Sequence, residues 1–213
     1  GDKIQSDSSG VPSNGTLQKV VDEMNAFATA LIESTNNLYA SSATTRMSSN
    51  TLVMSETQAI LDTSLNIKQG SFDIVIYDID GNISARKSIN IDNLTSMTGV
   101  AGTNSIEGQI AAQSDDNADG NANNDVDDFL QFHWATNASG ENSLEFVMDG
   151  ASAAKGYTFA IEDNLKTSGF DSGSNFAGAL GLSRFFDGNN ASNINLNHEL
   201  RENPTNITAG KYC

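Results

Sequence analysis

The chain has 213 residues, enough for one sizeable hydrophobic core or two small ones. Its net charge of −16 argues against nucleic acid and against an anionic membrane surface as partners, because no basic stripe is available to displace counterions. Only 18% of the residues are charged and 7% are aromatic, so we expect an aliphatic, thin core with many turns and solvated loops.

The single cysteine, Cys213, allows no disulfide within the chain and no Cys-based zinc site. A lack of disulfides is usual in the cytosol, and it also fits a bacterial protein that is exported unfolded. The sequence contains no apolar run long enough to span a bilayer and no signal peptide. Because it begins without Met and stops abruptly, we expect it to be an internal part of a longer protein.

Residues 16–42 carry the clearest helical pattern. Apolar positions recur there at alternating steps of four and three, which is the period of a coiled-coil seam. Thr16 or Asn14 is the candidate N-cap. The helix either packs only on its own domain or also joins an antiparallel bundle with helices outside this chain. The predicted seam is Leu17, Val21, Met24, Ala28, Leu31, Thr35 and Leu38, widened by Val20, Phe27 and Ile32.

A β-hairpin is predicted over Gly70–Asp92. Phe72, Ile74 and Ile76 recur at every second position before the turn signal Asp80-Gly81-Asn82, and Ile83, Ala85, Ile89 and Ile91 follow it. The preceding residues 42–66 have a weaker pattern, consistent with a helix or with a strand plus a short helix.

The rest of the chain is predicted to consist of short elements. Within residues 92–112 we expect a short helix capped by Asp92 or Asn93. Runs of helices and strands that do not alternate regularly indicate an α+β fold, in which the long first helix precedes a β-rich body with short helices. Three strands are predicted at residues 129–135, 143–149 and 157–163.

Residues 178–197 contain four large apolar side chains within seven positions. Asp187-Gly188 is a turn signal after it, and Ile194 and Leu196 then alternate with Asn as in a half-buried strand. This predicts a compact helix–turn–strand corner without a nucleophile, a base or a metal cluster. The apolar plug consists of Leu180, Leu182, Phe185 and Phe186.

A short helix should lead into this corner. Ser174 is its candidate cap, and Gly181 follows its last residue, Leu180. A helical turn that begins at His198 is expected to stop at Pro204.

The corner resembles the flagellar hook-associated protein 1 family, the hook–filament junction protein. In that family an LGL-x-RFF-x-G run is followed by an A-x-x-I-x-(V/L)-N strand. Residues 36–40 also look like the end of the family's long helix. The matching residues here are Leu180, Gly181, Leu182, Arg184, Phe185, Phe186, Gly188, Ala191, Ile194, Leu196 and Asn197.

The resemblance implies a fold in which residues 1–66 belong to a helical rod domain and residues 67–213 form β-rich outer structure. The partner helices of the rod would come from both ends of the intact chain. The resemblance also implies a secreted, extracellular and non-enzymatic protein that needs no cofactor. Identical subunits would form a ring between the hook protein and a second junction protein, after an export chaperone has released the chain. The present chain alone is expected to be monomeric.

The acidic loop, residues 115–128, is the one stretch that suggests metal chemistry. Asp115, Asn117 and Asp119 occupy positions 1, 3 and 5 of a calcium-loop pattern, and Gly120 occupies position 6. Position 12 is Val126 instead of a bidentate Glu, so we do not expect an EF-hand. The candidate calcium ligands are Asp115, Asn117, Asp119, Asn121, Asp125 and Asp127.

Two interpretations of the acidic loop remain open. We favour a solvated acidic turn without metal, in which every Asp faces water because burying an unpaired carboxylate is costly. A calcium loop would instead make the protein a calcium-dependent extracellular binding module of the adhesin type.

The sequence gives little support for an enzyme. His133 and His198 lie far apart and lack a metal-like partner at helical spacing. Nucleophile-elbow and phosphate-loop motifs are absent. A hydrolase with a pair of acids that meet only in space is a third interpretation, since such pairing is invisible in a sequence. We interpret the six N-x-[ST] sequons as chance.

Overall fold

The computed structural model describes residues 5–8, 15–164 and 173–207. Within these ranges the protein is a mixed α+β structure with one long N-terminal helix, as predicted. The helices are α1 (Thr16–Tyr39), α2 (Ile106–Ile110), α3 (Val126–Phe129), α4 (Gly150–Ala154), α5 (Phe176–Leu180) and α6 (His198–Glu202). The strands are β1 (Arg46–Ser48), β2 (Gly70–Tyr77), β3 (Ile83–Ile91), β4 (Leu130–Thr136), β5 (Asn142–Met148), β6 (Thr158–Asp163), β7 (Phe186–Asp187) and β8 (Asn195–Leu196).

The central sheet has the antiparallel order β3-β2-β6. Its middle strand, β2, is buried on both faces, because Phe72, Ile74 and Ile76 point into the main core while Val75 and Tyr77 join a smaller apolar cluster. The predicted hairpin is therefore confirmed as β2 and β3.

The hairpin turn is wider than predicted. It is closed by a hydrogen bond of 2.9 Å from the Asp78 N–H to the Asn82 carbonyl, and Gly81 adopts a φ of 87° that favours glycine. The side chain of Asp78 accepts a second bond of 2.8 Å from the Asn82 N–H.

The second sheet has the antiparallel order β1-β5-β4. The three strands predicted in residues 129–163 are confirmed as β4, β5 and β6, but β6 leaves the other two and pairs with β2. The 42–66 segment contains β1 and a 3₁₀ turn at Ile60–Asp62, so the strand-plus-short-helix alternative is confirmed. Met47 and Ile60 from this segment pack in the same core as Phe72 and Phe146.

The N-caps predicted for α1 and α2 are wrong. The N-cap of α2 is Ser105, whose Oγ accepts a bond of 2.9 Å from Gly108 N–H, while Asp92 instead receives the Leu94 N–H in a turn. The N-cap of α1 is Gly15 without a side-chain bond, and Thr16 is already helical. The alternative cap Asn14 and the cysteine Cys213 lie outside the described residues.

α1 packs on the body through one side only. The residues of α1 that are buried are Ala28, Ile32 and Asn36, at steps of four, so they form a narrow inner face. Among the described residues, no helix combines the length and the apolar character needed to cross a membrane.

Candidate functional site

The predicted corner is a real unit of the structure, formed by α5, β7 and β8. α5 ends at Gly181, which adopts a left-handed φ of 62°, as predicted for this position. β7 and β8 pair antiparallel, with Phe186 opposite Leu196. The N-cap of α5 is Asn175 and not Ser174; the Ser174 hydroxyl accepts the Phe176 N–H at 3.3 Å and donates to the Asp163 carboxylate at 2.8 Å.

The apolar plug of the corner is divided between two environments. Leu180 and Leu182 are buried in the main core. Phe185 and Phe186 are half-buried, and the Phe185 ring lies edge-to-face against Tyr39 at the end of α1, with 5.6 Å between the centroids. The plug therefore joins the corner to the body and to α1.

Asn36 on the inner face of α1 holds the corner by its backbone. Its Oδ1 accepts bonds from the N–H groups of Phe185 (2.8 Å) and Phe186 (2.9 Å), and its Nδ2 donates to the Phe186 carbonyl at 2.9 Å. Nearby, the Thr29 hydroxyl donates to the Asn189 carbonyl at 2.7 Å. On the side that faces α1, the backbone of residues 185–189 therefore bonds to side chains of the helix and not to a neighbouring strand.

Glycine permits the closest approach between α1 and the corner. A Cβ on Gly178 would lie 2.3 Å from the Glu33 carbonyl of α1, so a larger residue would force the two helices apart. Gly188 is equally restricted, because it has a φ of 95° and a Cβ there would lie 2.3 Å from the Asn193 carbonyl.

Two polar residues of the family-like run also have definite partners. Arg184 is exposed and donates to Asn50 Oδ1 at 3.0 Å. Asn197 is buried, donates to Asp187 Oδ1 at 3.0 Å, and accepts the Glu199 N–H at the start of α6. The predicted turn at His198 is confirmed as α6, and Pro204 follows it in a 3₁₀ turn.

The outward face of α1 is apolar and uncovered. We call this set the outer stripe; Leu17, Phe27 and Leu38 are each more than 70% exposed. It contains five of the seven residues of the predicted seam, Leu17, Val21, Met24, Leu31 and Leu38, whereas Ala28 of the same periodic pattern faces the body. The outer stripe comprises Leu17, Val20, Val21, Met24, Phe27, Leu31 and Leu38.

The outer stripe and the corner share one groove, with a volume of about 400 Å³. Ala191 and Ile194 of the corner form one wall, and both belong to the family-like run. The α1 wall consists of Val20, Glu23, Met24, Phe27, Ala28 and Leu31. The two segments that the sequence singled out separately thus meet at a single apolar surface.

The acidic loop is not the fully solvated turn that we favoured. Lys87 on β3 is 9% exposed, and its Nζ lies 3.3 Å from Asp116 Oδ2 and 4.0 Å from Asp127 Oδ1. The same ammonium donates to the carbonyls of Ile110 (3.4 Å) and Ala112 (2.5 Å) at the end of α2. Lys87 was not predicted as a partner of the acidic loop, because it lies in a strand pattern 29 positions before Asp116.

Three aspartates of the acidic loop are buried. Asp125 is fully buried, and the side chains of Asp116 and Asp127 are 7% and 12% exposed. Burial raises the pKa of the Asp127 carboxyl above its usual range, although the charge of Lys87 opposes this shift. The prediction that every Asp faces water is wrong for these three residues, since Lys87 supplies an internal counter-charge.

The other half of the acidic loop has exposed Asp115, Asp119 and Asn121 side chains, and Asn117 is half-buried. Asp115 accepts the N–H groups of Asp119 (3.0 Å) and Gly120 (2.9 Å), and Asp119 Oδ1 accepts the Asn121 N–H. Among the described residues, no three His, Cys, Asp or Glu side chains are arranged to hold a metal ion.

Acidic side chains do meet in one groove, where one of them anchors the chain that leads into the corner, and both histidines are exposed. A groove of about 470 Å³ contains Glu33, Glu162 and Asp163. Asp163 accepts bonds from Asn37 Nδ2, from Ser174 and from the Asn175 N–H, so this carboxylate anchors the residues that lead into the corner. His133 is exposed on β4 and His198 is exposed on α6.

Comparison of the sequence with models of known protein families, and with individual curated proteins, finds no match.

Proposed function

We propose that this chain belongs to a structural subunit of the bacterial flagellum that forms the junction ring between hook and filament. The observation that carries the proposal is the shared groove. An uncovered helix face with coiled-coil spacing meets the same corner whose residues 180–197 resemble the junction-protein family. The subunit would work by packing against other helices and subunits, without catalysis.

The spacing of the outer stripe supports a helical rod domain. Its members Leu17, Val20, Met24, Phe27 and Leu31 follow one another at steps of three and four, which is the spacing of knobs in a left-handed coiled coil. Contiguous exposed apolar patches on soluble proteins commonly mark interaction sites. We therefore assign α1 to the rod, with partner helices of the intact protein covering the outer stripe. The boundary expected at residue 66 moves to the end of α1, because β1 and Ile60 pack within the β-rich body that we assign to the outer structure.

The cellular setting of this proposal follows from the family resemblance. The protein would be exported with a chaperone, remain extracellular, and form a ring of identical subunits that contacts the hook protein on one side and a second junction protein on the other. Side-by-side contacts of this kind are heterologous, and they close into a ring when the rotation between subunits permits it.

The proposal is tested by placing charge on the outer stripe in the intact protein, in the bacterium that encodes it. Leu17→Glu with Leu31→Glu should abolish filament attachment and motility, and filament subunits should appear in the culture medium. The matched control is Val53→Glu with Leu94→Glu, two exposed apolar positions outside α1 that should leave motility unchanged. Normal filaments on cells with the α1 variant would contradict the proposal.

A further inference from the structure

The second sheet has one long edge that no described strand covers. β4 is the outer strand of this sheet and pairs only with β5. The outer edges of the central sheet are better protected, because Phe159 of β6 forms a bridge with Thr44, and the Gln109 side chain bonds to both the N–H and the carbonyl of Asn90 on β3. The outer side of β4 is therefore the sheet edge most open to another chain.

The hydrogen-bonding pattern of the β4–β5 pair decides which backbone groups face this edge. The Asn137 N–H donates to the Glu141 carbonyl just beyond the pair, so the odd-numbered positions of β4 bond to β5 and the even-numbered positions point away from it. The outward-pointing positions are Leu130, Phe132, Trp134 and Thr136. The Leu130 N–H is bonded to the Val126 carbonyl, whereas no hydrogen bond among the described residues reaches the backbone of the other three.

β4 also lacks the features that usually keep a sheet edge from pairing with another chain. Its sequence, LQFHWAT, contains no Asp, Glu, Lys, Arg or Pro, and its register with β5 is not interrupted by a bulge. Identical copies of this chain repel each other elsewhere, because the net charge is −16. The β4 edge is thus an uncharged strip at which two copies can approach.

We propose that β4 pairs antiparallel with β4 of a second copy of this chain, about a two-fold axis at His133. In this register Phe132 lies opposite Trp134 of the second copy, and the reverse pair forms on the other side of the axis. The outward N–H and C=O groups then exchange about six hydrogen bonds, including those at the Leu130 and Thr136 ends. A shift of the register by two residues would leave one end of β4 unpaired and reduce the two aromatic pairs to one.

The aromatic side chains of β4 support a second copy as the occupant. Phe132 and Trp134 pack against the main core from the edge of the sheet, but both are only half-buried, because no strand lies beyond them. Cross-strand aromatic pairs stabilise antiparallel sheets. The same two residues of a second copy would cover this surface, and the two-fold axis makes the contact self-complementary.

This contact is expected to be weak. One pair of seven-residue strands is smaller than a stable protein interface, so we expect a dissociation constant on the order of 1 mM, which leaves the chain monomeric at micromolar concentration. The contact is also independent of the proposed junction role, because β4 and the outer stripe are different surfaces. Charging the outer stripe should therefore leave the pairing of β4 unchanged.

Disulfide cross-linking in a Cys213→Ser background tests the pairing and its register. His133 is exposed and would lie opposite His133 of the second copy at a non-hydrogen-bonded position, where Cα atoms are about 4.5 Å apart. That separation suits a disulfide, so His133→Cys should give a covalent dimer on mild oxidation at millimolar protein.

The matched control for cross-linking is Gln131→Cys. This position is also exposed, but it would lie opposite Ala135 of the second copy and far from its own counterpart, so it should give at least about tenfold less dimer. Equal yields from the two variants would indicate random collision and overturn the proposal. A higher yield from Gln131→Cys would also overturn it, because the register would be different.

Sedimentation equilibrium up to millimolar protein measures the association without a covalent bond. Gln131→Lys with Ala135→Lys places like charges opposite each other in two cross-strand pairs, so the dissociation constant should rise at least about fivefold. Gln131→Lys with Ala135→Glu places opposite charges there and should keep or lower it. The two added lysines reduce the net negative charge, which by itself favours association, so weaker association of that variant points to the strand contact.

A last comparison separates the β4 edge from the outer stripe. Leu17→Glu with Leu31→Glu should keep the wild-type dissociation constant. Association that disappears in this variant, or that neither β4 variant changes, would place the contact elsewhere and overturn the proposal. A monomer mass throughout the millimolar range would overturn it as well, while leaving the proposed junction role untouched.

Discussion

At the scale of single residues, the attachment of the corner depends on one amide side chain. Asn36 is 2% exposed and satisfies two backbone N–H groups and one carbonyl of residues 185–186. An amide side chain offers both a donor and an acceptor in one planar group, so Asn36 can satisfy N–H and C=O groups of the same segment. Without Asn36 these three part-buried backbone groups would lose this hydrogen-bond partner.

Replacing Asn36 with Ala should therefore destabilise the protein. We expect the free energy of unfolding to fall by about 2–4 kcal/mol, because the stranded N–H and C=O groups near Phe185 lose their partners. Urea denaturation measures the effect. The control is Ser34→Ala, since this exposed hydroxyl bonds within α1 to the Ala30 carbonyl, and a change within about 0.5 kcal/mol is expected. Similar midpoints for both variants would contradict the assigned role of Asn36.

Asp92 makes the stability of the folded protein depend on pH in the acidic range. Hydrogen bonds from the Asn104 amide and then from the Leu94 N–H hold the pKa of the Asp92 carboxyl below its ordinary value of 3.8. Because the folded state lowers this pKa, the charged carboxylate stabilises the fold above pH 3.8, and the contribution is lost as the pH falls through the folded pKa.

The matching experiment compares the Tm of wild type and Asp92→Asn across pH. The variant should unfold at a lower temperature at neutral pH, and the difference should shrink once the pH falls below 3.8. Asp80→Asn at the exposed hairpin tip is the control and should keep the wild-type profile. A difference that grows toward acid pH would reject this role for Asp92.

At the scale of elements, α1 has two apolar faces with different tasks. The inner face packs on the body through Ala28 and Ile32, and the outer stripe remains in solvent. A single helix therefore belongs to the core along one side and offers an assembly surface along the other. Substitutions on the inner face should therefore affect stability, and substitutions on the outer stripe should affect assembly.

Ile32→Ala should lower the free energy of unfolding by about 2–5 kcal/mol, because it leaves a cavity beside the body. Leu38→Ala on the outer stripe should change it by less than about 0.5 kcal/mol, since this side chain is 73% exposed. Chemical denaturation of the two variants checks the contrast. A large loss for Leu38→Ala would mean that the outer stripe is covered within this chain.

Gly178 offers a second test of how α5 lies on α1. Gly178→Ala should cost about 1–3 kcal/mol, because the new methyl would lie 2.3 Å from the Glu33 carbonyl and the helices would have to separate. Gly150→Ala in α4 meets open space and should be neutral or stabilise by up to about 1 kcal/mol. Thermal unfolding distinguishes the two, and a neutral Gly178→Ala would refute the close contact.

The elements were more predictable from sequence than their partners. Alternation and turn signals marked β2, β3, β4, β5 and β6, because local periodicity reflects which face is buried. The bonds of Asn36 and Lys87 could not be foreseen, since their partners lie about 150 and 30 residues away and no local pattern records such contacts. From the sequence, the outer stripe could be recognised only as part of a wider apolar band on α1. Which side of that band faces water depends on where the corner packs against the helix.

At the scale of the whole molecule, charge and apolar surface act against each other. The outer stripe favours association, whereas a net charge of −16 makes identical copies repel. Coulomb repulsion between copies is long-ranged at low salt, while the exposed part of the outer stripe runs along one helix only.

We therefore expect the 213-residue chain to be a monomer in solution at micromolar concentration. Multi-angle light scattering at low and at moderate salt measures its mass. A Met24→Glu variant serves as the control and should have the same mass, since the outer stripe is unused in the monomer. A stable ring or dimer of the wild-type chain would contradict this expectation and would relocate the assembly contacts within these residues.

Asn36 holds residues 185–186 through hydrogen bonds to their backbone, and this affects which substitutions the protein can accept during evolution. The amide bonds to backbone N–H and C=O groups, and every amino acid except proline has both. The side chains at positions 185 and 186 can therefore change while these hydrogen bonds remain. Related chains should thus keep Asn at the helix position long after the aromatic pair has diverged, and proline alone should be barred from positions 185 and 186.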